Sequence, residues 1–580
     1  MSALRFLALT GEPDRLKTWL DAFVPPPDPP IRLNRVFDAP DLVIFASPES
    51  PLVPLADEHG LVLGQLFAGV DPALPVARLD EAASRGAAIS LGQSLIEGRW
   101  GRFAAFVRDG GAVAAMRDPS GTVPVHFAIL AGLHLYFSEL ELALAAGYRP
   151  LGLDDAFLRQ WLTYPYLRTA RTGIEGCSEL LPGTVRVTSG AGQRLETLWS
   201  PWRAADPAGE IRDFDDAARR LRAVALGTVP AQFAGVERPL LELSGGLDSS
   251  IVAACLKAGG IDFKAATFAT RTPAGDERDY ARALAERLAI DLIEEGEDEA
   301  PLDLSPPARA LRPPLSPVLQ PLERAFSRAA RESGARDLVT GAGGDNIFCY
   351  LTSAAPAVDA FGRLPLGAVL GVLQDVAALG DCTIWKAGRY ALLKQLRRRR
   401  RPAWRRDLRF LAPEAIATAP DPHPWLAAPA GAAAGRVEHV EALVRIQYFL
   451  QPEHASGEAM HHPLLNQPLV ETCLAIPSWL WVRGGRNRAV ARAAFADLLP
   501  PRIVNRRTKG SLAAMCSRAF SASAPRICDL LLGGELAGRG LVGRAAVEAR
   551  LRAADTVRDE DYFRIFDLVS LELWLRSWRC

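Results

Sequence analysis

The stretch LELSGGLDSSIVAACL, residues 241–256, limits the fold more than any other part of the chain. Two glycines, three serines and an aspartate stand between a short apolar run and a longer apolar run. That order predicts a buried strand, a tight loop and a helix. Its surroundings repeat the theme. An amphipathic helical pattern (FDDAARRLRAVALGTV from Phe214) precedes it, and an apolar run (FKAATFAT from Phe263), a second helical pattern (ERDYARALAERLAI from Glu277) and a second strand-and-loop (RDLVTGAGGDNIF from Arg336) follow it. Helices alternating with short apolar strands predict a parallel α/β sheet, in which ligands bind outside the carboxyl ends of the strands.

The loop has the chemistry of an anion cradle. Leu243 ends the strand, Gly245 and Gly246 allow close backbone approach, and the hydroxyls of Ser244, Ser249 and Ser250 join the first backbone N–H groups of the helix as donors. No Walker lysine follows, and neither G-x-x-x-x-G-K-[ST] nor G-x-G-x-x-G fits. Asp248 is out of place beside phosphate unless a magnesium ion lies between them, because magnesium takes one or two carboxylates together with phosphate oxygens. A serine cap with turn glycines would explain Ser249 or Ser250 but not the whole string.

Before residue 200 the texture differs. GRFAAFVRDG, AVAAMRD, VPVHFAIL, LHLYFSEL and GTVRVTS read as short strands broken by turns, and they predict a sheet-rich first domain over 1–205. SPWRAADPAGEIRD, residues 200–213, reads as a linker to a second domain over 214–580 that becomes almost wholly helical beyond the second loop. Lysine plus arginine equals aspartate plus glutamate at 67 each, so the overall field favours neither nucleic acid nor an anionic surface. The run KQLRRRRRPAWRRDLR, with arginines at 397–401, is either a solvated face or a patch for an acidic partner. Eight scattered cysteines without C-x-x-C read as reduced thiols of a cytoplasmic protein, and the eight histidines show no zinc spacing. No apolar run of transmembrane length occurs, so neither a signal peptide nor a membrane span is expected.

S-G-G-L-D-S-S after an apolar strand resembles the pyrophosphate loop of the ATP pyrophosphatases, and the wider chain resembles the asparagine synthetase family. GRFAAFV, MRDPSGTVPVHFA from Met116, FSELELALAAG from Phe137 and ELLPGTVRV from Glu179 are similar to the family's glutaminase-type (Ntn-type) domain. TGAGGDNIFCY from Thr340, HHPLLNQPLVE from His461 and LPPRIVNRRTKGSL from Leu499 are similar to motifs of its synthetase half. The resemblance implies an α+β glutaminase-like domain followed by a parallel α/β ATP-binding domain with a helical elaboration. It implies ATP and Mg2+ as cofactors, Asp248 and Asp345 as magnesium ligands, Gly343 and Gly344 in a second phosphate loop, and Lys509 as the cation that steadies transferring phosphate.

The departures from the family pattern narrow the expected activity. Glutamine-hydrolysing members begin Met-Cys, whereas this chain reads Met1-Ser2-Ala3, and the R-G-P-D and N-G-E strings of the glutamine pocket are missing. Three residues before Asp345, where asparagine synthetases have glutamate and β-lactam synthetases tyrosine, stands Ala342; Asn346 and Asn466 replace acidic residues of the usual motifs. This set is most similar to the lasso peptide cyclases, which adenylate an aspartate or glutamate side chain of a leader-free precursor peptide and join it to the N-terminal amine. Such an enzyme would have the core peptide, a leader peptidase and a leader-recognition protein as partners. An ammonia-dependent amide ligase, a small-ring β-lactam-type synthetase and a non-catalytic peptide-binding scaffold stay open. The group that takes the proton from the amine is unassigned, with Tyr350, Glu458, His461 and His462 as candidates and Ala342 and Asn346 expected beside the substrate.

Overall fold

A computed structural model describes residues 4–23, 32–397, 404–507, 510–552 and 559–579 of the chain. Ser2, Lys509 and Arg398–Arg401 therefore lie outside the described residues.

Among the described residues, thirteen strands build two antiparallel sheets in the first part of the chain: β1 (Phe6–Thr10), β2 (Asn34–Ala39), β3 (Leu42–Ala46), β4 (Leu52–Pro54), β5 (Gly60–Ala68), β6 (Leu74–Pro75), β7 (Arg99–Asp109), β8 (Ala112–Arg117), β9 (His126–Leu130), β10 (Leu133–Phe137), β11 (Ser178–Glu179), β12 (Thr184–Ser189) and β13 (Gly192–Thr197). One sheet runs β11-β9-β10-β1-β3-β2, and the other runs β13-β12-β8-β7-β5-β4 with β6 beside β5. Phe6, Ala8, Leu42 and Ile44 of the first pack against Leu61, Leu63, Ala104 and Phe106 of the second. The outward sides are covered too. Leu7, Leu9 and Leu135 share a cluster with Leu16, Phe157 and Leu162 of flanking helices, and Val62, Phe103 and Ala105 share one with Ala87, Leu95 and Ile96. The central strands are thus apolar on both sides, which is why Phe6–Thr10 and Leu42–Ala46 read as continuous apolar runs rather than as alternating strands.

The second part carries one five-stranded sheet in the order β16-β15-β14-β17-β18, from β14 (Leu240–Glu242), β15 (Lys264–Ala269), β16 (Leu292–Gly296), β17 (Asp337–Val339) and β18 (Ala459–His461). All four pairings are parallel. From β14 the chain first builds outward through β15 and β16, then returns to lay β17 and β18 on the other side. The strand order therefore reverses between β14 and β17, and the loops leaving these neighbours diverge to open a crevice. Beyond the second loop the described elements are helical, as expected, apart from β18. It is three residues long, and only its pairing with β17 makes it a strand.

The segment expected as a linker is packed against the second half of the chain. Ile211 donates its N–H to the carbonyl of Ala475, Trp202 Nε1 donates to the carbonyl of Trp425, and the buried carboxylate of Glu210 pairs with Arg363 and Arg436. Polar composition and prolines signalled a loose connection; long-range ion pairs fix it. The two hydrophobic clusters that flank the antiparallel sheets continue into the parallel domain, so the halves share core rather than touching at a thin interface.

Candidate active site

The first loop leaves β14 and enters the helix Leu247–Ala258, whose N-cap is Gly246. Gly245 has φ +66°, and a Cβ there would lie 2.5 Å from Cβ of Tyr280, so conformation and close approach both require glycine. Ser249 Oγ receives the N–H of Ser244 at 3.3 Å and lies 3.2 Å from Ser244 Oγ. Ser250 instead donates to the carbonyl of Gly246 at 2.6 Å and is fully buried, so it braces the first helical turn rather than offering a donor to a ligand. This corrects its expected role: position in the string could not show that residues 249 and 250 face different ways on the helix.

The second loop leaves β17 and reaches the short helix Gly344–Ile347. Gly343 has φ +89°, and a Cβ on Gly344 would fall 2.3 Å from Cγ of Asp248. The absence of a side chain at 344 brings the two loops together and sets Asp248 beside Asp345. Both carboxylates accept from one atom, Arg488 Nη1, at 2.9 Å and 2.6 Å. Arg488 stands in the left-handed region at φ +53°, and its guanidinium lies over the ring of Tyr350 at 5.2 Å.

These groups open into a cavity of about 970 Å3, lined by Leu243, Ser244, Gly246, Asp248 and Ser249 of the first loop and by Ala342, Gly343, Asp345, Asn346 and Tyr350 of the second. Arg488, Arg492, Arg506 and Arg507 make one wall cationic. Glu277 holds that wall: it pairs with Arg506, accepts the N–H of Gly510 at 2.9 Å, and Arg506 in turn donates to the carbonyl of Gly245 at 3.1 Å. The residues on either side of Thr508 and Lys509, Arg507 and Gly510, both line the cavity. A second arm is apolar, with Phe268, Leu322, Phe326, Pro314, Pro317 and Met460 around the carboxyl groups of Glu242 and Glu323. Burial, then the neighbouring charge of Glu323, pushes the Glu242 carboxyl up to about 7, and burial raises Glu323 as well.

The candidates for the amine's proton separate clearly. His461 lies outside the cavity lining, its Nδ1 accepting from Arg102 at 2.6 Å and its Nε2 donating to Asp337 at 2.7 Å. It joins the second antiparallel sheet to the parallel one. His462 does line the cavity, but both of its nitrogens are engaged: Nε2 donates to the carbonyl of Gln451 at 3.3 Å, and Nδ1 accepts from Thr340 Oγ1 at 2.9 Å. Thr340 Oγ1 also receives the N–H of Ala342, so His462 positions the second loop. Burial lowers both imidazoles to about 4, which keeps them neutral near pH 7. Glu458 is tied to His454 and Ser456 and does not line the cavity. Asn346 donates to the carbonyl of Ala442 at 2.7 Å, and Asn466 caps the helix Gln467–Ala475. Tyr350, 44% exposed beside Arg488, is the candidate left facing the cavity. Arg488, Glu277, Arg506, Glu242 and Glu323 were not legible in the sequence; Arg488 sits in a string of arginines, RGGRNRAVAR, with nothing to distinguish it.

Two glycine-bearing loops thus leave neighbouring strands at the switch point, carry Asp248 and Asp345, and face one cationic wall. The chain belongs to the asparagine synthase family, whose family model matches residues 228–576. Among curated proteins it is similar to carboxyethyl-arginine beta-lactam-synthase of Streptomyces clavuligerus, 32% identical over 194 residues, which cover 32% of this chain and 34% of that protein. The chain thus spans about a third of the length of the curated relative it matches. Solved structures with local likeness include the allosteric regulatory enzyme of purine biosynthesis and the glutamine phosphoribosylpyrophosphate amidotransferase from B. subtilis in complex with ADP and GMP. They show 11% and 12% identity, cover 58% of this chain and 89% and 90% of their own, and at a TM-score of 0.21 carry no weight for the fold.

Proposed function

We propose that the protein is a lasso peptide cyclase, an ATP-dependent ligase that releases AMP and pyrophosphate while closing a macrolactam. A side-chain carboxylate oxygen of a leader-free peptide attacks the α-phosphorus of ATP, and the bond to pyrophosphate breaks. The peptide's N-terminal nitrogen then attacks the activated acyl carbon, AMP departs, and the amine loses a proton. The observation that carries the reading is the pairing of Asp248 and Asp345 on one cationic atom beside Ala342, in a cavity at the upper end of the size range for small-ligand sites. That volume leaves room for a peptide segment next to a nucleotide, and at position 342 a methyl group replaces the acid expected of an ammonia-dependent enzyme.

Magnesium fits the residues present. A guanidinium nitrogen bonded to two carboxylates marks where a cation is wanted, and two carboxylates completed by phosphate oxygens are the donor set this ion takes. Asp248 and Asp345 would hold it, and it would offset negative charge on the phosphates. Ser244, Ser249 and the N–H groups at the start of the helix Leu247–Ala258 would bind the pyrophosphate portion, and Arg506 and Arg507 would face it. The cavity confines both ends of one peptide and so converts ring closure into an intramolecular reaction of high effective molarity.

Incubation with ATP, magnesium, a precursor peptide and its leader peptidase should give a peptide that has lost one water and resists carboxypeptidase, together with AMP. Asp248→Ala should abolish AMP formation. Turnover of free aspartate and ammonia, with no peptide cyclised, would overturn the reading. The similarity to a β-lactam synthase favours small-ring closure as the second reading; AMP release with a small β-amino acid derivative, but with no peptide, would establish it.

A further inference from the structure

The helices Leu366–Leu379 and Ile384–Arg397 form a bent pair whose axes diverge by 105°. The second docks through Ala387 and Ala391 and through the ion pair of Lys394 with Glu438. On its opposite side Trp385, Leu392 and Leu396, spaced at seven and four residues, fall on one stripe about 16 Å long, with Arg389 beside them. These side chains protrude: Trp385 is 85% exposed, Leu392 60% and Leu396 69%. On the first helix Leu366 is 75% exposed, and Leu370 and the preceding Phe361 are exposed as well. The cations are local to this place in a chain of zero net charge. Lys386, Arg389 and Arg397 are exposed on the second helix, and from Cys382 to Arg397 the sequence has four basic residues and no acidic one.

From this juxtaposition we infer that the hairpin is a peripheral docking surface for an anionic lipid bilayer, reached from one side without spanning it. An amphipathic helix with Trp and Leu on one face and Lys and Arg flanking them lies in the plane of the interface, its apolar face among the upper acyl chains and its cations at the headgroups. The geometry favours lipid over a protein groove. The protruding anchors are divided between two helices that diverge by 105°, which no single straight groove receives and a deformable surface does. Lys386 and Arg397 flank the stripe, Arg389 falls within it on a stem long enough to carry its charge out to the headgroups, and Asp381 in the connecting turn is the only carboxylate in the sequence between Val376 and Arg397. The assignment is independent of the reaction catalysed: it concerns where the enzyme works.

Co-sedimentation of the full chain with vesicles tests it, comparing mixed phosphatidylglycerol and phosphatidylcholine with phosphatidylcholine alone. Binding should be about tenfold stronger to the anionic vesicles and should weaken steeply as salt rises. Leu392→Glu with Leu396→Glu should abolish it while leaving the melting curve and AMP formation intact, because neither side chain packs against the core. Trp385→Phe should retain binding and remove a lipid-induced blue shift of tryptophan emission. Absence of binding to anionic vesicles, equal binding to neutral ones, or unchanged binding of the double variant would overturn the assignment. So would light scattering that shows a dimer abolished by the same double variant, since the stripe would then serve a second copy of the chain.

Discussion

Glu179 is the residue whose loss should be felt furthest from its own position. Its carboxylate is 1% exposed and receives Arg117 at 2.6 Å, Arg168 at 2.8 Å and Arg312 at 2.9 Å. Two of these arginines come from the antiparallel half, and Arg312 comes from the segment whose Pro306, Pro307 and Pro314 line the cavity. Burial alone would push the carboxyl up; Arg168, Arg312 and Arg117 overcome it and hold it well below the usual range. Glu179→Gln keeps the shape and removes the charge, so buried Arg117 and half-buried Arg168 and Arg312 lose their counter-ion. A unit charge pair about 4 Å apart at an effective dielectric of about 20 is worth about 4 kcal/mol, and removing one partner of a buried pair costs about 3–5 kcal/mol. The variant should lose stability on that scale in denaturant unfolding at pH 7. The pH dependence has a definite sign. A depressed carboxyl contributes stability above its unfolded value of about 4.3, and that stability fades as pH falls toward the folded value. Wild type should therefore approach the variant as the solution is acidified. Because Arg312 anchors a cavity wall, KM for the acyl substrate should rise more than kcat falls. A variant within about 1 kcal/mol of wild type at pH 7, with parallel pH profiles, would show that the cluster is not a buried charge centre.

Two further outcomes follow from the site. Arg488→Met removes the cation shared by Asp248 and Asp345; without nucleotide, magnesium should raise the melting temperature of the variant by several degrees more than that of wild type, and equal shifts would mean that Arg488 does not stand where the metal binds. Glu242, raised to about 7 from 4.5, holds its proton more tightly in the folded chain, so its contribution is complete below pH 4.5 and is lost as pH rises through about 7, on the order of 3 kcal/mol. Glu242→Gln should flatten the urea-unfolding profile across that window, and an unchanged slope would place the proton elsewhere.

The two loops were legible because their constraints are local. Gly245 must be glycine for its own backbone, and strand, loop and helix follow one another within sixteen residues. Strands β7 to β10 and β12 were legible from their turns; β1, β3 and β4 were harder to read, because they are short or buried on both sides and lack alternation. His461 and His462 looked alike as adjacent residues at the end of β18, yet the strand points them to opposite sides, one toward Arg102 and the other toward Thr340. Ser249 and Ser250 differ for the same reason on a helix.

The sequence by itself determined the parallel domain, the phosphate-type loops and the departures at Ser2, Ala342 and Asn346, since each is a matter of which residues stand within a few positions of one another. Only the tertiary structure decided that Arg488 joins Asp248 to Asp345, that Glu179 gathers arginines from both halves, and that Trp385, Leu392 and Leu396 are exposed. Asp248 and Arg488 are 240 residues apart. Their meeting depends on the reversal of strand order between β14 and β17 and on the packing of helices across it, which no local pattern encodes.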